Sequence, residues 1–225
     1  CIAALAVIAI QPLRSRLDDD RDPSAPIAFA SPWGAIRKVL NDTRLRRLTF
    51  VAFCLTTIQA IVLTFLIIIL VQEVHLDFVL AGAIFGGAQA SGAALRIIMG
   101  WAADRALGAR PTMVALGISS AVGLVGLTLL EPGASLPLVV GVSVVVGSLS
   151  FGWNGVFLAE VANLADPAEV GATTGGSLFF LYGGVVLGPL VMSLLITLSG
   201  GFSLPLYGVA CMTIMASLNL LRRVA

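Results

Sequence analysis

The chain has 225 residues, of which 58% are hydrophobic and 11% charged, with net charge +1 and a mean hydropathy of +1.03. Soluble domains carry about a quarter charged residues, so this composition excludes one, and apolar runs of about twenty residues read as bilayer spans. The basic residues are scattered at the ends of those runs instead of forming a patch, so the charge gives no sign of nucleic acid. None is expected as a partner, and the lipid bilayer is the expected surroundings.

Residues 1–11 (CIAALAVIAIQ) are too short to span and read as the tail of a transmembrane helix that starts upstream. The chain begins at Cys1 with no charged start or cleavage site of a signal peptide, as expected of a fragment of a longer protein. Residues 12–47 are polar, with an acidic run Asp18–Asp20, eight Lys or Arg residues, and Pro23, Pro26 and Pro32 marking a loop. Ala35 to Arg47 has the spacing of an amphipathic helix on the membrane surface, with Ile36, Val39 and Leu40 toward lipid. So basic a stretch beside a span predicts a central cytoplasmic loop.

Residues 48–225 divide into six spans, Leu48–Gln72, Phe78–Ala103, Thr112–Leu130, Leu136–Ala159, Val170–Leu198 and Phe202–Leu221. The connections at His75–Asp77, Glu131–Ala134 and Ser199–Gly201 carry no Lys or Arg and are expected outside. Arg105, Arg110, Arg222 and Arg223 lie on the other side, which puts both ends in the cytoplasm. The connection Glu160–Glu169 is acidic, but acids weigh little in that count. Spans two and five are the glycine-rich ones, as partners in a three-plus-three repeat would be. The pairs Gly82/Gly86, Gly171/Gly175 and Gly184/Gly188 have the spacing that lets helices approach closely, although membrane helices are rich in glycine in any case. Cys1, Cys54 and Cys211 stand at unrelated spacing in apolar runs and read as packing residues, neither disulfides nor metal ligands.

The turn between spans two and three, Arg96-Ile-Ile-Met-Gly100-Trp-Ala-Ala-Asp104-Arg105-Ala-Leu-Gly108-Ala-Arg110-Pro111, carries the most specific pattern. Gly100 and Asp104 lie one helical turn apart where the helix leaves the membrane. The segment resembles the signature loop G-x-x-x-D-[RK]-x-G-[RK]-[RK] of the major facilitator superfamily. It departs by one extra residue, Leu107, before Gly108 and by Ala109 in place of a basic residue. The segment Gly183–Pro189 is similar to glycine- and proline-marked helices of that family. The resemblance covers essentially the whole chain. It implies an all-α membrane protein, a six-transmembrane-helix bundle forming the C-terminal half of a twelve-helix fold with a 3+3 inverted repeat. Its partners would be the missing N-terminal six-helix half and a small-molecule substrate. The setting would be a plasma membrane, in particular the bacterial inner membrane.

Arg96 is the one formal charge well inside a span, about 10 Å from the exit at Ala103 at 1.5 Å per residue. Placing it there costs on the order of 2.5–3.5 kcal/mol, so something must offset it. The guanidinium fork suits an anionic substrate group; the alternatives are snorkelling to the headgroups or a brace to Glu160. Similarity to nitrate/nitrite, cyanate and monocarboxylate carriers implies that this arginine contacts the anion. Gln89 and Gly100 share its helical stripe. In the first span Thr56 and Gln59 lie a turn apart near the midplane, where Gln59 either meets solute or joins helices. In the fourth span the resemblance puts Ser150, Trp153 and Asn154 on the cavity wall, with an interfacial anchor as the alternative for Trp153. Phe179 and Tyr182 lie near the centre of the fifth. The resemblance also implies that Gly100, Asp104, Arg105, Gly108, Arg110 and Glu160 form an inner-face lock that opens and closes with the transport cycle. The bland alternative is a plain helix exit.

No Asp or Glu lies in the middle of a span, so a proton relay would need a carboxylate elsewhere or a proton carried with the anion. His75, the one histidine, is at the rim, far from any mid-depth serine, which argues against an intramembrane hydrolase. No metal or other cofactor is expected, and no pore-like polar ring points to a channel. The function expected is secondary active transport of a small organic or inorganic anion by alternating access. Export of amphipathic drugs through an aromatic cavity (Trp153, Phe179, Tyr182) is the alternative.

Overall fold

The computed structural model describes residues 31–222. The expected helix tail over 1–11, the stretch up to residue 30 and Arg223 lie outside the described residues. Helix α1 (Pro32–Asn41) precedes α2 (Thr43–Gln72), the first of six membrane crossings. Helix α3 (Phe78–Ala102) continues into a π turn (Ala103–Leu107) and is followed by α4 (Ala109–Thr128). The fourth crossing is built of two pieces, α5 (Leu136–Phe151) and α6 (Asn154–Leu164). After a 3₁₀ turn (Pro167–Glu169) come α7 (Val170–Ser199) and α8 (Ser203–Leu221). The described residues form an all-α bundle of six apolar helices.

The surface helix expected over Ala35–Arg47 is two helices, and Asp42 is the reason. Its carboxylate accepts the backbone N–H groups of Arg44 at 2.7 Å and Leu45 at 3.1 Å, capping α2 and ending α1. Arg44, Arg46 and Arg47 therefore belong to the start of the first crossing. Nor does α1 turn Val39 to lipid: Val39 is fully buried, Ile36 is half-buried, and only Leu40 is exposed. The helix lies against α7 so closely that a Cβ on Gly176 would come 2.6 Å from the Ala35 carbonyl oxygen. Lys38 donates to Asp166 at 3.2 Å and to Glu169. These contacts explain the acidic connection before the fifth crossing, which faces the basic helix before the first. The Glu169 hydrogen bond, assisted by Asp166 and opposed by lost hydration, raises the Lys38 pKa above its ordinary 10.5. A raised lysine pKa means the pairing is fully present below that value and is lost only as pH climbs through the folded pKa, so it is intact at neutral pH.

Helix α2 touches every other crossing. Around it the most extensive contacts are α2 with α7, α3 with α5, and α4 with α8. Exchanging crossings one, two and three for four, five and six swaps the first two pairs and returns the third to itself. That is the packing a three-plus-three repeat produces. The apolar core has two layers. One, at the end carrying Arg44, Arg46 and Arg47 (hereafter the basic end), runs up α2 to Leu55 and includes Trp153 and Phe157. The other starts at Ile58 and includes Val146, Leu124 and Leu206.

Close helix approach uses glycines other than most of those the spacing singles out. Gly184 and Gly188 of α7 do meet α2, where a Cβ would lie 3.0 Å from the Phe53 carbonyl oxygen and 3.1 Å from Thr57 Cγ2. Gly82, Gly86, Gly171 and Gly175 face nothing within 4 Å. The α3–α5 contact is instead made at Gly147, where a Cβ would stand 2.5 Å from Ala88 Cβ. Gly147→Val should force α3 and α5 apart and destabilise the protein by roughly 1–3 kcal/mol. Gly141→Ala, with nothing within 4 Å, should be near neutral. Thermal unfolding in detergent measures both; a Gly147→Val protein as stable as wild type would contradict this packing.

Candidate functional site

Two polar side chains from the first and fourth crossings meet between the two core layers. The Asn154 amide Nδ2 donates to Gln59 Oε1 at 3.3 Å, and both residues are half-buried. Asn154 reaches this place because the fourth crossing is interrupted at Gly152–Trp153, and Asn154 begins the new helix α6. Hydrogen bonds of this kind between membrane helices average about 0.6 kcal/mol, so a solute offering its own polar groups can replace one at little cost.

Trp153 shapes this break from inside. It is 1% exposed, its indole N–H donates to the Ser150 carbonyl at 2.9 Å, and its ring meets Phe157 edge-on. Its side chain therefore lies in the core and neither lines open space nor reaches a membrane interface. Ser150 and Thr56 likewise turn their hydroxyls onto their own helices, at the carbonyls of Val146 and Ala52. An i−4 backbone carbonyl is always within reach of such a hydroxyl in a helix, and it satisfies the group without a partner from outside.

Arg96 stands on α3 next to the same break. A Cβ on Gly152 would lie 3.2 Å from Leu95 Cδ2 and 3.6 Å from Met99 Cγ, so the break packs on the turn that carries Arg96. Arg96 itself is exposed and forms no ion pair or hydrogen bond with any described residue. Gln89 is half-buried two turns away on the same helix. Tyr182 and Phe179 are 64% and 59% exposed on the side of α7 turned away from α2. Tyr182 is thus not brought into contact with the Gln59–Asn154 pair.

At the basic end, Arg110 Nε lies 3.3 Å from Glu160 Oε1, joining the start of α4 to α6. Glu160 is therefore engaged by Arg110 and not by Arg96. Arg105 lies over the Trp101 ring at 5.6 Å, and Asp104 is exposed. The extra residue in this turn has a structural account. The Gly108 N–H donates to the Ala103 carbonyl at 3.1 Å, an i→i+5 bond that takes up one residue more than an α turn. Gly108 then turns the chain at φ 78° and ψ 155°, a conformation open to glycine. Gly100 is half-exposed on the last turns of α3.

Several polar contacts escape sequence reasoning. Ser148 donates to Ser91 at 2.6 Å across α5 and α3, and the hydroxyls of Thr128 and Tyr207 lie 2.9 Å apart between α4 and α8. Single hydroxyls in apolar runs give no periodic signal, and only the helix pairing reveals their partners.

Deleting Leu107, which is 56% exposed, should turn the π turn into an α turn and keep Gly108 and Arg110 in place. The deletion protein is expected to fold with a melting temperature near that of wild type. Deleting Ile118 inside α4 should abolish stable folding, because it rotates the rest of the helix by about 100°. Equal loss in both proteins would contradict the account of the extra residue.

Comparison with known proteins agrees with this geometry. No curated protein matches the chain. The family model described as Major Facilitator Superfamily matches residues 1–183 and 48–224. These matches take in the whole bundle, the turn from Gly100 to Arg110 and all six crossings. The chain is a multi-pass integral membrane protein that belongs to the Major Facilitator Superfamily, a family of transporters.

Proposed function

We propose that this chain is the C-terminal wall of a two-bundle secondary carrier that moves a small organic or inorganic anion by alternating access. The observation that carries this reading is that Arg96 has no ion pair or hydrogen bond among the described residues. A guanidinium inside a span costs on the order of 2.5–3.5 kcal/mol unless something offsets it, and Glu160, the carboxylate that could have braced it, is taken by Arg110. A bidentate anion is the partner that the planar fork fits best. Gln89, Gln59 and Asn154 supply neutral hydrogen bonds to the same solute, and opening the weak Gln59–Asn154 bond frees one donor and one acceptor. Trp153 contributes by holding the break in shape.

Two features support a second bundle opposite this one. In the crossings Phe78–Leu107 and Pro167–Ser199 only 22% of the most apolar stretch is buried, against 61% in Thr43–Gln72. These same helices bear the open glycines Gly82, Gly86, Gly171 and Gly175. Such faces suit an N-terminal six-helix half packed across a shared cavity. The basic end faces the cytoplasm by the distribution of Arg and Lys, in a plasma membrane of bacterial inner-membrane type. Asp104, Arg105 and the Arg110–Glu160 pair act there as a gate, with Gly108 and Gly100 forming its turn. Such a pair is worth about 1 kcal/mol or less, enough to bias two access states and weak enough to break in each cycle. The chain works as a carrier and catalyses no covalent chemistry.

The exposure of Phe179 and Tyr182 favours a second reading, export of amphipathic compounds. Burial of Trp153 removes one of the three aromatic residues that reading relies on.

The test is uptake into proteoliposomes containing the carrier with both bundles, using labelled nitrate and lactate as probes. Arg96→Ala and Arg96→Lys should each reduce anion uptake by at least tenfold, since Lys restores the charge without the fork. Full activity of Arg96→Lys would contradict recognition by the fork. Transport of lipophilic cations with Arg96→Ala fully active would establish the second reading.

A further inference from the structure

Two apolar crevices run along one side of the α2–α7 seam and share the Phe53 side chain as a common wall. The smaller, about 260 Å³, lies at the basic end between α1, α2 and α7, walled by Val39, Leu40, Phe50 and Phe180, with Arg46 at its edge. The larger, about 880 Å³, continues beyond Phe53 between α2, α7 and α8, past Thr57 and Val191 to Tyr207. Phe50 and Phe53 stack with ring planes 7° apart, giving the smaller crevice a flat aromatic side. From Arg46 to Thr57, α2 rises about 16 Å, roughly half of the hydrocarbon core.

We propose that this furrow is a binding site for one anionic phospholipid, with its phosphate on Arg46 and an acyl chain laid past Phe50 and Phe53 into the wider crevice. Charge selects the occupant. One Arg46 N–H donates to the Leu40 carbonyl at 2.6 Å, and no carboxylate pairs with this guanidinium among the described residues. No other described residue engages its remaining donors, which suit a phosphate. Arg44, two residues earlier on α2, is also exposed and adds positive potential at the depth of the headgroups. Above the guanidinium the walls offer a chain almost nothing to hydrogen-bond: the Thr57 hydroxyl is already committed to the Phe53 carbonyl at 2.9 Å. An amphiphile with an anionic head and an apolar tail matches both parts, and a bilayer supplies it. The lipid would touch α1, α2 and α7 together and so tie the short helix to the seam on which the bundle is built. This site is independent of the transported solute.

The test uses the whole carrier purified in mild detergent, with phosphatidylglycerol and phosphatidylcholine of the same chain length in competition and native mass spectrometry counting the lipid retained. Wild type should retain phosphatidylglycerol preferentially. Arg46→Ala should weaken that preference about fivefold, and by more than Arg44→Ala, which leaves the crevice wall intact. Gly208 lines the larger crevice, and a Cβ there meets nothing within 4 Å, so Gly208→Trp should fill it and reduce retention of both lipids. Equal retention of the two lipids by wild type, a measurement that needs no variant, would overturn the proposal. So would an undiminished preference in folded Arg46→Ala.

Discussion

The seam between α2 and α7 is the constraint on which the bundle depends. Two glycines one turn apart, Gly184 and Gly188, let α7 settle onto Phe53 and Thr57 at backbone distance. In lipid there is little hydrophobic force between helices, so close packing and a few polar contacts must hold them together. Helix α2, flanked in this way, becomes the axis that every other crossing touches. Its repeat counterpart is the α3–α5 contact, where Gly147 meets Ala88 and Ser148 meets Ser91. With these two seams set, the fourth crossing lies beside α2, and a single break in it brings Asn154 to Gln59.

The architecture was legible in the sequence because the signals for it are long and redundant. Runs of twenty apolar residues locate the crossings, and the arginines mark one end. The Arg110–Glu160 pair was within reach of the same reasoning, since both charges stand at helix exits on one side. Single residues with two possible neighbours were not legible. Gly82 and Gly147 look alike in the sequence, yet among the described residues only Gly147 meets another helix. The break at Gly152–Trp153 falls inside a continuous apolar run, so hydropathy passes over it, and the burial of Trp153 follows from that break. Asp42 splits one amphipathic pattern into two helices because a cap outweighs a continuous hydrophobic stripe. The acidic connection before α7 runs against the charge pattern because it faces Lys38, 128 residues away from Asp166 in sequence.

Polar chemistry in the membrane part of the bundle is sparse and unevenly satisfied. Most hydroxyls are closed onto their own helices, as with Thr56, Thr57 and Ser150. Gln59 and Asn154 share one weak bond, and Arg96 has no described partner. A carrier needs this imbalance, because groups already satisfied within the protein have no reason to bind a solute and release it. The proposed anion site and the proposed gate at Arg110–Glu160 are both made of contacts worth about a kcal/mol, so neither access state is locked.

The most direct measurement of the central claim is the reactivity of Arg96 in the otherwise unaltered carrier. Phenylglyoxal modifies accessible guanidinium groups, and mass spectrometry of the peptide containing Arg96 reads its rate alone. The account predicts that the transported anion slows modification of Arg96 in proportion to site occupancy, while a neutral solute of similar size leaves it unchanged. An Arg96 modified equally fast with and without saturating anion would show that the guanidinium faces lipid headgroups, and it would remove the anion site from this account.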